Sequence, residues 1–313
     1  MGDACGPCML LFKRITALVG LVVAFVALFS VGTLFLPPAL RNQQSGSESA
    51  AALGLLAVAI IDVAFIAGVV LTSRLRGAPL WLLTSAVYWG AKTFTSQLEA
   101  WYFMPNVNAA LVPSLMLMTV PVALGVPLLA VLLLGRWKGP TESPALRVPP
   151  MSAGQQAWKW ALLSAVIYPV LFFVAGYFVA FSNAEVRAFY GGVFEDTFFA
   201  HMRAVLTADP RLYPFEVLRG ALWVAMGVAL LWTTRGRAWV GGLWVVLLFS
   251  LVQNDVHVMP NPLMSPTVQL FHFVETASSN ALFAVLITWL MHRAHFESGA
   301  HRPAGTGRMA HGT

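Results

Sequence analysis

Charge is scarce in this chain. Only 10% of its 313 residues are Asp, Glu, Lys or Arg, against roughly 25% in soluble domains, while 58% are apolar. A soluble domain of this length cannot hide so much apolar surface. Catalytic signatures are missing as well. Without a G-x-x-x-x-G-K-[ST] loop the chain has no device of its own for ATP-driven transport. The lack of G-x-S-x-G, H-E-x-x-H and multi-histidine boxes counts against a serine hydrolase, a zincin and a membrane desaturase. No motif requires a cofactor. Cysteine is confined to Cys5 and Cys8. Cys5-Gly-Pro-Cys8 has the spacing of thioredoxin-like redox sites, yet that chemistry needs a βαβ context and a helix N-terminus, and the sequence signals neither, so both thiols are expected to be free.

What the chain has in quantity is long apolar runs. They centre near residues 25, 61, 92, 122, 169, 224, 249 and 279, and each is about 20 residues long, enough to cross a hydrocarbon core of about 30 Å. The expected fold is an all-α polytopic membrane protein with about eight transmembrane helices. The first run, preceded by Lys13 and Arg14, lacks a small-residue cleavage site before Pro37-Pro38 and reads as an uncleaved span.

The formal net charge of +6 does not form a basic face with interleaved aromatics, so no nucleic-acid role is expected. Positive residues instead follow a topology rule. With the N-terminus cytoplasmic, the inside carries Lys13, Arg14, Arg74, Arg76, Arg136, Lys138, Arg147, Lys159, Arg235, Arg237, Arg293, Arg302 and Arg308. The outside carries only Arg41, Arg187, Arg203 and Arg211. That bias places both termini in the cytoplasm of a multi-pass protein of the cell membrane, with the lipid bilayer as its one evident partner. Composition rich in Ala, Leu, Val and Gly points to a bacterial inner membrane.

The two halves repeat. Thr72-Ser73-Arg74-Leu75-Arg76, followed by Leu80-Trp81, recurs as Thr233-Thr234-Arg235-Gly236-Arg237, followed by Leu243-Trp244. Met104-Pro105-Asn106 recurs as Met259-Pro260-Asn261, and Gly32 aligns with Gly176 in the first spans. The expected organisation is a cytoplasmic tail at 1–14, a four-helix unit at 15–135 and a cytoplasmic linker at 136–156. A second four-helix unit comes next at 157–292, with an external loop at 182–213, and then a disordered cytoplasmic tail at 293–313. Four spans per unit give both the same orientation, a parallel repeat. Within the external loop, Phe194, Phe198, Met202 and Val205 fall at helical spacing, the pattern of an amphipathic helix in the outer interface.

Polar residues inside the spans are costly and therefore informative. Asp62 and Lys92 sit at mid-depth on consecutive helices and are expected to pair. Glu99, Arg219, Asp255, His257, His272 and Glu275 fall roughly 5–15 Å outward of the midplane at 1.5 Å per residue. Ser279 and Asn280 lie on or beside the His272–Glu275 stripe. Across the repeat these positions are mostly apolar, for Lys92 aligns with Leu247 and Asp62 with Trp223. A shared, outward-facing polar pocket is one reading. Separate structural pairs, such as Glu275 with Arg219, are the other. His257, His272 and Glu275 are the candidate metal ligands, since three ligands and a water suit a catalytic zinc ion. The functions that fit are a transporter or carrier-like protein for a small solute or ion, an intramembrane enzyme acting on a lipid or isoprenoid, or a non-catalytic sensor or assembly subunit.

Overall fold

Ser, Thr or Asn side chains cap the N-termini of five helices among the described residues. In the computed structural model, residues 5–41, 47–104, 111–141, 151–191, 194–261 and 264–292 are described. Helix α1 is Cys5–Gly32. Helix α2, Glu48–Thr72, is capped by Ser47, whose hydroxyl accepts from the Ala50 N–H. Helix α3 covers 77–103: Gly77–Trp89, a π-helical turn at Gly90–Phe94, then Thr95–Phe103. Helix α4 is Leu111–Leu133. Helix α5 covers 153–178, opened by a Ser152/Gln155 capping box and interrupted by a π-helical turn at Leu163–Ile167. Helices α6, Ala184–Tyr190, and α7, Phe198–Ala208, are short. Helix α8 is Leu212–Thr233, and α9 is Ala238–Leu247. Helix α9 continues into a π-helical turn at Leu248–Val252 and a 3₁₀ turn at Asp255–Val258. Helix α10, Pro266–Met291, is capped by Ser265 with proline at its first position.

Among the described residues, seven helices are long and apolar enough to cross a membrane, and α3 is not one of them. The expected run near residue 92 is helical, but the polar stripe of Lys92, Ser96, Gln97 and Glu99 lowers its apolarity. Large apolar side chains such as Phe12, Leu53, Leu82, Trp232 and Leu282 face outward, as in a protein solvated by lipid.

Several expected boundaries move. Helix α1 begins at Cys5, so the tail expected at 1–14 is largely helical and Cys5-Gly-Pro-Cys8 forms its first turns. A helix N-terminus, which the sequence does not signal there, is therefore present in the backbone, as Pro within the first turn allows. Helix α5 starts at Ala153, inside the expected linker. The amphipathic segment expected within 182–213 is α7, a little later than its pattern suggested. Arg147, Pro105, Asn106, Arg293 and the tail expected at 293–313 lie outside the described residues.

The helices pack in a reciprocal pattern. Helix α1 packs on α2 and α4, and α5 packs on α8 and α10. Across the bundle, α2 packs on α9 and the turns beyond it, while α8 packs on α3. At one end the chain segments after α2 and α8 meet in an isolated antiparallel bridge, Ser73 to Thr234. Arg74 N donates to Thr233 O and Arg235 N to Thr72 O, both at 2.8 Å. The side chains repeat the exchange: Arg74 Nε donates to Trp232 O at 2.8 Å and Arg235 Nη2 to Leu71 O at 2.5 Å. Four carbonyls at the two helix C-termini, which have no partner within their own helices, are satisfied this way. Arg136 joins them, donating to Ser73 O at 2.5 Å. Gly77, which opens α3 beside this junction, has φ +61, a conformation that suits glycine because it carries no Cβ.

Candidate functional site

The buried carboxylates lie between mid-bundle and the end opposite the Ser73–Thr234 bridge. Asp62, midway along α2, is completely buried. Tyr88 donates its hydroxyl to Asp62 Oδ2 at 2.6 Å, and Lys92 Nζ donates to the same oxygen at 2.6 Å. Lys92 also donates to Asp255 Oδ1 at 2.5 Å. Asp255 is therefore not one of the outer group in which helical rise placed it. The π-helical turn at 248–252 adds a residue to one turn of α9, which rotates the residues after it by about 100°. The 3₁₀ turn at Asp255–Val258 then ends the axial climb, leaving Asp255 at the depth of Lys92. Lys92 itself lies within the π-helical turn of α3, a local distortion of the kind often found where side chains must be aimed.

Farther from the Ser73–Thr234 bridge than this trio sits a second cluster. Arg219, near the start of α8, donates from Nη1 to both oxygens of Glu216 at 2.9 and 3.0 Å and from Nη2 to Glu99 of α3. Tyr168, Phe172 and Phe215 surround its guanidinium with ring centroids 5.8–5.9 Å away. The Arg219–Glu275 couple considered from sequence is replaced by this three-part group. Glu275 instead lies 3.4 Å from His272 Nδ1, and His272 Nε2 is 4.0 Å from Glu99. The Tyr190 hydroxyl lies 3.2 Å from His272 Nδ1. Burial first, and then Glu275 and Glu99, push the Tyr190 phenol well above its ordinary range, so it stays neutral. The His257 ring stands edge-on to His272, 5.1 Å between centroids.

Amides and hydroxyls on the same helices bond to one another. Gln253 Nε2 donates to Ser96 Oγ at 3.4 Å, and Asn280 Nδ2 donates to Gln253 Oε1 at 3.4 Å. Thr276 Oγ1 donates to Asn254 Oδ1 at 2.5 Å. Ser279 bonds the Glu275 carbonyl at 2.8 Å and turns toward a small cavity. That cavity, about 20 Å³, is lined by Glu99, Tyr168, Arg219, Glu275, Ser279 and Asn280 among others, and has room for about one water. A separate apolar groove of about 710 Å³ runs past Met259, Met264, Leu270 and Phe273 and reaches His257 and Gln269.

The metal candidates stay near one another without converging. Among the described residues no group of three or more His, Cys, Asp or Glu side chains is arranged to hold a metal ion. Arg219 stands out in the sequence, but the parts played by Glu216, Tyr88, Tyr168 and Tyr190 do not. An aromatic among aromatics at helical spacing carries no signal of its hydroxyl's partner. No family model, no protein and no solved structure compared with the chain matches it.

Proposed function

We propose that this is a membrane carrier for a small solute or ion, whose site is the electronegative interior between α2, α3, α8 and α10. One observation carries the reading. Five carboxylates, Asp62, Asp255, Glu99, Glu216 and Glu275, are buried or nearly so, against two permanent cations, Lys92 and Arg219. Burying unneutralised charge in a membrane protein is expensive, so such an interior must take up protons or cations to exist. Gln253, Asn280 and Ser96 form a further polar chain, and Asn280 lines the cavity beside Glu99, Arg219 and Glu275.

The scaffold reading goes with it: two tandem four-helix units in parallel orientation, α3 serving as an eighth span, with both termini cytoplasmic in the cell membrane. The reciprocal hydrogen bonds of 71–74 with 232–235 support a pseudo-two-fold axis through the Ser73–Thr234 bridge, since each contact has its mate at the equivalent residue. The site itself is not duplicated. Where the first unit has Asp62 the second has Trp223, buried against Phe249 with its indole N–H on the Tyr168 hydroxyl.

The test is uptake into proteoliposomes from a panel of radiolabelled inorganic cations, amines, amino acids and sugars. Glu99→Gln and Glu275→Gln are expected to abolish the uptake seen in the parent protein while leaving expression and folding intact. Normal uptake by both variants removes this assignment. The apolar groove ending at His257 favours a second reading, an intramembrane enzyme on a lipid or isoprenoid substrate with Glu99, His272 and Glu275 as acid–base groups. Stoichiometric metal in the purified protein, lost on His272→Ala, selects the metal-dependent form of that reading.

A further inference from the structure

Lys92 occupies the point between two carboxylates where a mobile cation would otherwise sit. Its ammonium is 2.6 Å from Asp62 Oδ2 and 2.5 Å from Asp255 Oδ1. Both aspartates are fully buried, and among the described residues the far oxygen of each, Asp62 Oδ1 and Asp255 Oδ2, has no hydrogen-bond partner. Two carboxylates and one ammonium leave one negative charge in excess. Among the described residues nothing around them answers it. Tyr88 on α3 donates to Asp62 but carries no charge, and α4 has no ionisable side chain. Helices α8 and α10 bring Glu216, Arg219, His272 and Glu275, whose partners are one another and Glu99. His257, two residues beyond Asp255, turns toward His272, and Lys13 and Arg14 of α1 are exposed.

We propose that Asp62 and Asp255 form a single-proton site in which one of the two carboxyl groups is protonated in this conformation. The proton is the coupling ion of the carrier, a half of the proposal that rests on the carrier reading. A proton fits where a metal cation does not. Among the described residues each aspartate has one carboxylate oxygen without a partner, and the Lys92 ammonium already stands between the carboxylates, so a second cation meets a like charge at close range. Binding converts one carboxylate to a carboxylic acid with a proton drawn from solvent, and no other bond forms or breaks. The new O–H is the donor that one of the partnerless oxygens lacks.

Infrared spectroscopy of the full-length protein in nanodiscs at neutral pH tests the site. The expected result is a carboxylic C=O stretch that shifts on exchange into D₂O and disappears in Asp62→Asn and equally in Asp255→Asn. Either substitution leaves one carboxylate beside Lys92, a neutral pair that needs no proton. Absence of the band in the parent, its persistence in either variant, or its loss on titration with Na⁺ or K⁺ overturns the single-proton site. Coupling is read separately, as uptake driven by an imposed pH gradient in proteoliposomes, expected in the parent and lost in Asp255→Asn. A band behaving as expected without gradient-driven uptake keeps the proton site and removes the carrier reading.

Discussion

Arg74 caps the helix that ends at Thr233, and Arg235 caps the helix that ends at Thr72. Each does so twice, with its backbone N–H and with its guanidinium. Helix C-termini need donors for their last carbonyls, and here each half of the chain supplies them to the other. The contact closes one end of the bundle, while the buried carboxylates lie away from it.

Cysteines at 73 and 234 are expected to join in a disulfide. The two residues form a non-hydrogen-bonded antiparallel pair, for which Cα atoms lie about 4.5 Å apart, within disulfide reach. With Cys5 and Cys8 replaced by Ser, mild oxidation of Ser73→Cys/Thr234→Cys should cross-link nearly all of the protein, read after proteolysis between the halves on a non-reducing gel. Little cross-linking means the junctions do not meet in the membrane.

Arg219→Met is expected to be among the most damaging substitutions. It strands Glu216, fully buried, and Glu99, 15% exposed, without their cation. Breaking a buried pair from one side costs about 3–5 kcal/mol, because the desolvated partner is left behind. The triple variant Glu99→Gln/Glu216→Gln/Arg219→Met removes the charges together and should recover most of the lost stability. Chemical denaturation in detergent measures both. A triple variant no more stable than the single one refutes the charge explanation.

The sequence shows the helices well and the site in part. Apolar runs locate the spans because lipid enforces their length, and Lys92 and Asp62 stand out because charge at mid-depth needs a partner. Depth counted at a constant rise fails at Asp255. The π-helical turns at 90–94 and 248–252 leave no mark in composition or period, yet they decide which way Lys92 and Asp255 point. Glycine alignment misleads for a similar reason. Gly32 and Gly176 match in register, but a Cβ at Gly32 would run into the Met118 carbonyl, while one at Gly176 would meet only Glu275 Oε1 at 3.6 Å.

That contrast gives a packing test. Gly32→Ala forces the α1–α4 contact apart at backbone, which cannot yield as a side chain can, and overpacking of this kind costs about 1–3 kcal/mol. Gly20→Ala in the same helix meets nothing within 4 Å and should be neutral or slightly stabilising, since alanine favours helix over glycine by about 1 kcal/mol. Thermal unfolding in detergent should rank them with Gly32→Ala clearly lower. Equal melting temperatures would mean α1 does not press on α4 at this point.

His201 makes the docking of α7 sensitive to acid. Its ring is buried among Tyr177, Phe181 and Phe194, with centroids 5.3–5.6 Å away, and its Nδ1 has no hydrogen-bond partner. Burial lowers its pKa from the ordinary 6.5, and the nearby Glu195 opposes that only in part. The docked helix therefore holds the neutral ring, whereas the undocked helix protonates near the ordinary value. The contribution to docking is complete above about pH 6.5 and is lost as pH falls through the depressed value of the docked state. Hydrogen exchange across 198–208 should be slow at pH 8 and speed up below about pH 6, after correction for intrinsic rates. In His201→Phe, which keeps the aromatic packing without the titrating nitrogen, the corrected protection should not change with pH. If that variant loses protection in acid as the parent does, another group controls the segment, and Glu195 is the next to replace.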